Sequence, residues 1–285
     1  MLSELKELWK FRELLLTMVQ RELKIRYKNS ALGFFWSMLN PLITVLVMSF
    51  VFQNFLSNGV PSATAYILAA YLPFTFFQLC LMDSAQTILT ALPLIRKIYF
   101  PREILPIASV ISNFIHLLLA LVMFVIYMLA VYIIHPGQWP FQATSVFLPV
   151  LLLINFCLSL GLSFYISAFN TFYEDVKYIV GVMTYLMFFL CPILYFEERV
   201  ANSPLNQAWG GKIYMFMNAN PVFALSNAYR KILIAPQKIM VDKVLVDPLP
   251  LDWRYVAWAA FVSVAILISG YSTFNRLKWK FVERP

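Results

Sequence analysis

Six long apolar segments, separated by shorter polar stretches, make up most of the chain. A helix of about twenty apolar residues crosses the hydrocarbon core of a bilayer. Within lipid the backbone must satisfy its own hydrogen bonds, which favours helices. The pattern therefore predicts an all-α integral membrane protein with six transmembrane helices. The predicted spans are Trp36–Leu56, Tyr66–Met82, Ile107–Ile134, Val146–Phe169, Ile179–Phe196 and Tyr255–Phe274.

The composition agrees with an integral membrane protein. Hydrophobic residues make up 61% of the chain and charged residues only 13%, well below the charge of a soluble domain. Six spans leave no room for a second globular domain, so we predict one transmembrane domain over residues 1–285. Within it we expect an amphipathic interface segment at 1–33, a six-span core at 34–275 with an outer loop at 197–254, and a basic tail at 276–285.

The distribution of Lys and Arg predicts how the chain crosses the membrane. Basic residues are concentrated before the first span, between the second and third spans, and in the tail, whereas the loops after the first and third spans contain none. Basic loops face the cytoplasm, so both termini are predicted to be cytoplasmic and the 197–254 loop to lie outside. The net charge of +8 is interpreted in the same way, as attraction to anionic membrane lipids and not to nucleic acid.

The first 33 residues place apolar and charged side chains at helical spacing. Leu8, Trp9, Leu15 and Val19 fall on one side of the predicted helix, and Lys and Glu residues occupy much of the other side. An amphipathic helix of this kind lies in the membrane interface. It is either a simple anchor that orients the chain, or an elbow that leads into the first span and contacts a cytoplasmic partner.

Residue types that support catalysis or metal binding are few and scattered. Cys80, Cys157 and Cys191 lie in apolar spans at a spacing that fits no metal site or disulfide framework, and His116 and His135 have no acidic neighbour in sequence. The chain contains no GxxxxGK[ST] phosphate-binding loop, no Ser/His/Asp arrangement and no paired carboxylates. We therefore predict no catalytic residue and no metal site.

Ionised side chains are almost absent from the predicted spans, and Asp83 is placed at a span end. Carriers driven by ion gradients hold charged or protonatable side chains within the membrane, so this class of transporter is disfavoured. Any uphill transport would take its energy from another chain. Pro41 and Pro192 fall inside predicted spans, where proline removes a backbone hydrogen bond and kinks or breaks the helix.

Four short motifs follow one another along the chain. They are RYKNSALGFFWSMLNPL at Arg26–Leu42, FYEDV at Phe172–Val176, CPILY at Cys191–Tyr195, and Asn220-Pro221 followed by an apolar helix that contains Tyr229 and Arg230. In this order, the chain resembles the permease subunits of ABC-2 type exporters, which transport O-antigen, capsule or teichoic acid. Glu174 departs from the family, which usually has Arg there. Only Asp175 of that pair is therefore carried over, as part of a cytoplasmic loop.

The resemblance implies an oligomeric assembly and a transport function. Such permeases work as homodimers with two copies of a separate cytoplasmic ATPase subunit, which binds ATP and Mg, so this chain is expected to hold no cofactor. The expected function is export of a lipid-linked polysaccharide across the cytoplasmic (inner) membrane of a bacterium. Spans 1 and 5 of two protomers would line the glycan channel with aromatic side chains. The candidate channel residues are Phe50, Phe52, Phe55, Tyr185, Phe188, Phe189, Tyr195 and Phe196.

Two cytoplasmic groups also follow from the resemblance. The loop at 92–103 resembles a coupling helix that docks on the ATPase, although its charge also fits a plain cytoplasmic loop. Its candidate residues are Arg96, Lys97, Ile98, Tyr99, Phe100 and Arg102. Basic residues before span 1 would bind a lipid phosphate, or else attract anionic lipid without specificity. These residues are Arg21, Lys24, Arg26 and Lys28.

Re-entrant gate helices are implied between spans 5 and 6. Asn220 followed by Pro221 suits an N-cap and a first helical residue, which predicts a helix over Pro221–Ile234. An earlier short helix is expected at about Leu205–Met217. The outer-gate candidates are Asn220, Pro221, Tyr229 and Arg230. The alternative is a plain amphipathic outer loop.

Three other functions stay open at this point. An ABC-2 exporter of a drug or a lipid would have a smaller and more apolar channel. A membrane-embedded enzyme that acts on lipid carriers would need a polar catalytic cluster near the interface. A structural membrane scaffold would need no ATPase partner.

Overall fold

The computed structural model describes residues 7–27, 35–51, 63–134, 142–236, 239–241 and 244–282. These residues are predominantly helical. The helices are α1 (Arg12–Tyr27), α2 (Phe35–Val51), α3 (Ala63–Ile95), α4 (Ile104–Ile134), α5 (Leu148–Phe172), α6 (Val176–Leu190), α7 (Glu197–Ala201), α8 (Pro204–Ala208), α9 (Lys212–Ala219), α10 (Pro221–Leu233) and α11 (Trp253–Leu277). Two strands, β1 (Ile239–Val241) and β2 (Val244–Val246), lie between α10 and α11, and 3₁₀ turns occupy Ala143–Phe147 and Lys278–Val282.

Four helices are long and apolar enough to cross a membrane. They are α3, α4, α5 with the turn before it, and α11 with the turn after it. The second, third, fourth and sixth predicted spans are therefore confirmed as helices of membrane length. The helices that overlap the first and fifth predicted spans, α2 and α6, are shorter, with 17 and 15 residues.

α3 is much longer than the predicted span Tyr66–Met82 and continues to Ile95. Hydropathy indicates where a chain leaves lipid, whereas the backbone hydrogen bonds of a helix can continue beyond that point. Asp83 therefore lies inside α3, at the point where the predicted span ends and the helix continues. Asn113 of α4 donates a hydrogen bond from Nδ2 to Asp83 Oδ2 at 2.9 Å, so this carboxylate links α3 to α4.

α6 is shorter at its end than the predicted span Ile179–Phe196. The helix ends at Leu190, and Cys191 is extended with a ψ of 147°. Proline disfavours helical conformation in the residue before it. The helix therefore breaks before Pro192, which is one of the two outcomes predicted for this proline.

The segment between α6 and α11 contains four short helices, α7 to α10, and is called the outer segment after its predicted location. α10 begins after its N-cap Asn220 and ends at Leu233, which confirms the predicted helix Pro221–Ile234 to within one residue. The predicted helix Leu205–Met217 is instead divided into α8 and α9. Gly210 and Gly211 separate the two helices, with φ values of 57° and 80° that a right-handed helix does not allow.

A small antiparallel hairpin also lies in the outer segment. Ile239 pairs with Val246, and Val241 pairs with Val244. β-branched residues are enriched in strands because they suit a pleated, half-buried surface. The all-α prediction therefore agrees with the four helices of membrane length and misses this hairpin.

α5 is the central helix of the bundle and packs against α3 on one side. Three buried side chains of α5 donate hydrogen bonds to backbone carbonyls of α3. Asn155 bonds to Pro73 O at 3.2 Å, Ser163 to Cys80 O at 3.3 Å, and Asn170 to Ala85 O at 2.6 Å. Polar bonds between apolar helices resist sliding, because sliding would leave donors unpaired in apolar surroundings.

On another side, α5 approaches α11 closely through two glycines. A Cβ atom at Gly161 would lie 2.6 Å from the backbone nitrogen of Leu267, and one at Gly270 would lie 2.3 Å from the carbonyl oxygen of Gly161. Small residues permit such contact between helix backbones. Any larger residue at either position would force the two helices apart.

α1 covers part of α4 with its apolar face. Met18 and Val19 are buried together with Ile104 and Ala108 of α4. Trp9, before α1, keeps 70% of its surface exposed. Part of the predicted apolar face of this N-terminal segment therefore packs against α4. Another part is exposed and suits the membrane interface.

We expect Gly161→Ala and Gly270→Ala to lower the unfolding temperature of the purified protein in detergent, since over-packing a close contact typically costs about 1–3 kcal/mol. Gly181→Ala is the matched control, because its added Cβ would meet only the flexible Met82 Cε at 3.9 Å. Equal unfolding temperatures for all three variants would show that the α5–α11 contact is looser than the structure indicates.

Candidate functional site

The break after α6 exposes backbone groups that no helix satisfies. The chain runs without regular structure from Cys191 to Phe196, and Cys191, Ile193 and Phe196 are buried. Carbonyl groups buried in this way need donors from other parts of the protein. A side chain of the outer helix α10 supplies them.

Arg230 of α10 is 2% exposed and joins three segments. Its Nε donates to Tyr66 O at 3.1 Å, one terminal nitrogen donates to Tyr195 O at 3.0 Å, and the other donates to Ile193 O. The guanidinium carbon also lies 3.8 Å from the centre of the Tyr66 ring. Arg230 therefore fastens α10 to the start of α3 and to the break after α6.

The other outer-gate candidates lie at the start and in the core of α10. Asn220 accepts a hydrogen bond from Val222 N at 3.0 Å and caps the helix, with Pro221 as the first helical residue. Tyr229 is fully buried in the main apolar cluster. These placements make α10 a firmly packed helix whose exposed surface is small.

An acidic and basic cluster that the sequence analysis missed lies beside Arg230. Lys231 forms an ion pair with Glu197 and donates to Pro250 O at 3.1 Å. Tyr214 donates to Glu197 Oε2 at 3.2 Å, and burial raises the pKa of this phenol to about 12, so it keeps its proton at neutral pH. The sequence does contain a signal for this cluster. Two acidic residues are neighbours at 197–198 and two basic residues are neighbours at 230–231, in a segment that is otherwise rich in apolar residues.

The eight channel candidates do not share one environment. Phe50, Tyr185 and Phe189 are 61%, 62% and 53% exposed, and the rings of the last two meet edge to face at 5.2 Å. Phe188 is half-buried against Phe74, and Tyr195 donates to Leu190 O at 2.5 Å.

Of the remaining three channel candidates, only Phe196 lies among the described residues. Phe196 is buried with its ring 3.9 Å from that of Tyr66. Phe52 and Phe55 lie outside the described residues. An exposed aromatic surface is thus formed by part of the predicted group, on α2 and α6.

The loop between α3 and α4 is a turn and not the predicted coupling helix. Residues 96–103 contain no helical segment, because α3 takes up the loop as far as Ile95. Tyr99 and Ile98 are 71% and 49% exposed. Phe100 is 4% exposed and packs in an inner cluster, so it cannot serve as a surface anchor in this conformation.

Both ends of the described chain contact this loop. Tyr99 donates to Glu7 Oε1 at 3.1 Å, and this hydrogen bond raises the pKa of Tyr99. Lys278 lies 2.5 Å from the carboxylate of Glu103, and Arg102 donates to Lys278 O. Arg96 and Lys97 are exposed at the tip. The loop therefore presents a basic and apolar tip on a base that is fixed by both ends.

The lipid-phosphate candidates Arg21 and Lys24 are exposed on α1. The side chain of Arg26 and all of Lys28 lie outside the described part of the chain. Asp175 is exposed at the start of α6 and forms no capping hydrogen bond. The turn before α6 is instead held by Asn170, which accepts a hydrogen bond from Lys177 N at 2.9 Å.

Comparison with known proteins identifies the family. Residues 13–234 match the family described as ABC-2 type transporter. A relative from Myxococcus xanthus, named O-antigen export system permease protein RfbA, is 31% identical over 283 residues, which are 99% of both chains. The chain belongs to the ABC-2 type transporter family. The resemblance inferred from the four motifs is confirmed.

Two relatives from Klebsiella pneumoniae carry the same name. They are 25% and 24% identical over 271 and 272 residues, which cover 95% of this chain and 94% of each relative. These proteins are named as permeases and not as enzymes. Together with the apolar helices, the match identifies the chain as a multi-pass membrane permease of the ABC-2 type.

We expect Arg230→Lys to destabilise this ABC-2 permease, although the charge is kept. One ammonium group cannot replace a guanidinium that donates to three carbonyls, and each buried group left unpaired costs about 1–3 kcal/mol. The measurement is the unfolding temperature in detergent, with Arg254→Lys as the control because Arg254 is exposed on α11. Equal losses in the two variants would contradict the fastening role of Arg230.

Proposed function

We propose that this chain is the membrane subunit of an ATP-driven exporter that carries a lipid-linked, O-antigen type polysaccharide across the inner membrane of a bacterium. The full-length similarity to the permease from Myxococcus xanthus carries this proposal. The glycan would leave the cytoplasm while a separate ATPase subunit binds ATP and Mg. This chain itself would contribute the pathway and no catalytic residue.

We infer six spans, with α2 and α6 as the first and fifth. Both helices are apolar and keep large side chains exposed, which suits burial in lipid or against another subunit. Both termini and the loop at 96–103 would be cytoplasmic, and α7 to α10 would form a re-entrant outer gate. Basic residues in this loop and in the tail support that orientation.

A homodimer would place the exposed aromatic side chains of α2 and α6 along a shared pathway. Phe50, Tyr185 and Phe189 offer flat apolar faces without charge. Contacts of this kind would let a polar chain move from ring to ring, because transport needs sites that release as readily as they bind. Lipid phosphate would first meet the cytoplasmic basic residues Arg21 and Lys24, with Arg26 and Lys28 completing that group.

The complex would contain two copies of the ATPase subunit. In each permease, the loop at 96–103 is proposed as the contact with one of them. Ile98 and Tyr99 supply exposed apolar surface, and Arg96 and Lys97 supply positive charge. Interfaces concentrate their binding energy in a few aromatic and aliphatic residues. A rigid base at Glu103 and Lys278 would transmit force from the ATPase to α3 and α4.

We expect the double substitution Ile98→Ala and Tyr99→Ala to reduce co-purification of the ATPase with the permease. Each truncation of a central interface residue can cost about 2 kcal/mol. Tyr99→Phe keeps the ring and should bind like the parent, which separates docking from the hydrogen bond to Glu7. Phe216→Ala, at an 80% exposed position of α9, controls for loss of an exposed aromatic ring. Undiminished ATPase binding by the double variant would rule out this loop as the docking element.

Export itself is tested by complementation of a strain that lacks this chain. Loss of the chain should abolish surface polysaccharide, and the parental gene should restore it. We expect the double variant Tyr185→Leu and Phe189→Leu to restore several-fold less, because leucine keeps apolar bulk but removes the flat ring. Phe261→Leu on α11, 65% exposed, is the control for an aromatic ring on another spanning helix. Immunoblots should show equal protein levels in all strains.

Two outcomes separate the parts of this proposal. Normal surface polysaccharide in the deletion strain would exclude polysaccharide export as the function. Parental export by the double leucine variant would instead exclude the aromatic pathway alone, and would leave the assignment of the permease intact.

A further inference from the structure

A cavity of ≈ 190 Å³ lies between α10, the segment after α6 and the chain that leads into α11. Its wall includes the charged cluster around Glu197 and Lys231, and Trp253 lies on its lining. Trp253 is 44% exposed, so the cavity is reached from the surface at that side. Two residues predicted from the sequence, Phe196 and Arg230, also line it, but neither was predicted to form a ligand cavity.

Asn227 of α10 shows that the cavity has unused hydrogen-bonding capacity. Its side chain lines the cavity and is 5% exposed. Among the described residues, no group accepts a hydrogen bond from Asn227 Nδ2. Buried polar groups in folded proteins almost always have a partner. A ligand oxygen in the cavity would supply the missing acceptor.

The charges in the wall balance one another. Glu197 and Glu198 contribute two carboxylates, and Arg230 and Lys231 contribute two cations. One oxygen of Glu198 accepts a hydrogen bond from Leu249 N at 3.1 Å, but a carboxylate has about four acceptor sites in all. The wall therefore offers acceptors and a donor without net charge, which favours a neutral ligand whose groups both donate and accept. Hydroxyl groups have this property.

The mouth of the cavity adds an apolar face. The Trp253 ring meets Phe147 edge to face at 4.8 Å, which holds the indole in place while part of it remains exposed. A ligand with hydroxyls on its rim and C–H groups on one face would match both surfaces. Most drug-sized ligands occupy pockets of about 300–1,000 Å³, so this smaller cavity has room for a single ring.

We propose that this cavity is a binding site for one neutral pyranose ring, held by Asn227 and the carboxylates of Glu197 and Glu198 and covered by Trp253. The choice of a sugar rests on the proposed function. The cavity is lined by residues of α7 and α10, so the ring would be bound within the proposed outer gate and away from the exposed aromatic residues of α2 and α6.

The test uses the permease with its ATPase in lipid nanodiscs, without nucleotide. Saturation-transfer difference NMR would be recorded with the methyl pyranosides of glucose, galactose and mannose. At least one of them should show ring-proton signals. Sorbitol, which has hydroxyls but no ring, and glucuronate, which is charged, should bind at least about fivefold more weakly, the loss expected when about 1 kcal/mol of contact is removed. Absence of signal for all three pyranosides would overturn the proposal.

Variants connect the signal to the cavity. Trp253→Leu changes an exposed residue and should fold, and it should reduce the signal about fivefold or more, as loss of an aromatic contact predicts. Asn227→Ala should reduce it similarly. Trp209→Leu, at a 63% exposed position outside the cavity, should leave it unchanged. A signal that survives both Trp253→Leu and Asn227→Ala would also overturn the proposal.

The kind of sugar that binds shows whether the site takes the end of a glycan chain or a free reducing sugar. If methyl pyranosides and a short oligosaccharide bind, the site takes the end of a glycan chain, in support of the proposal. If only free reducing sugars bind, the methyl pyranosides fail and the proposal as stated is wrong. The readout needs neither ATP hydrolysis nor export, so failure of the cavity and failure of the exporter assignment give different results.

Discussion

Backbone carbonyls that lie outside a helix and away from water must find donors within the protein. This permease meets that requirement with one guanidinium. α6 ends at Leu190, and Arg230 donates to the carbonyls of Ile193 and Tyr195 in the stretch that follows. The same group donates to Tyr66 at the start of α3. Arg230 therefore helps to hold the outer segment against the bundle, together with the buried apolar face of α10, where Phe223, Tyr229 and Ile232 lie in the main apolar cluster. The charged cluster and the cavity depend on that position.

The bundle below this segment is fixed by a different means. α5 is held to α3 by side-chain bonds to backbone carbonyls, and to α11 by direct backbone contact at Gly161 and Gly270. Rigid packing at the centre leaves the two ends to carry specific contacts. One end presents the loop at 96–103 and the other presents the polar cluster, which suits a protein that would couple an ATPase on one side to a gate on the other.

Much of the fold was predictable because its determinants are local in sequence. Hydropathy identified α3, α4, α5 and α11, since each is an uninterrupted apolar run. The start of α10 was predicted from Asn220 and Pro221, because an N-cap acts on the next few residues. The break near Pro192 also follows from a local rule, whereas the turn at Gly210 that divides a predicted helix was missed. The aromatic channel candidates could be proposed as a group. The sequence could not separate the exposed ones from the buried ones, because exposure depends on neighbours from other helices.

By itself, the sequence determined that this is a helical membrane protein, gave its family through four ordered motifs, and located one basic loop. Only the tertiary structure decided which carbonyls Arg230 binds, and that Phe100 is buried beside an exposed Tyr99. It also decided that Asn227 lines a cavity together with Glu197 and Lys231. The physical reason is that apolar length and capping act within a few residues of chain, whereas the surroundings of a buried charge such as Arg230 are set by groups between 35 and 164 residues away. Tyr66 and Arg230, 164 positions apart, meet only in the folded chain.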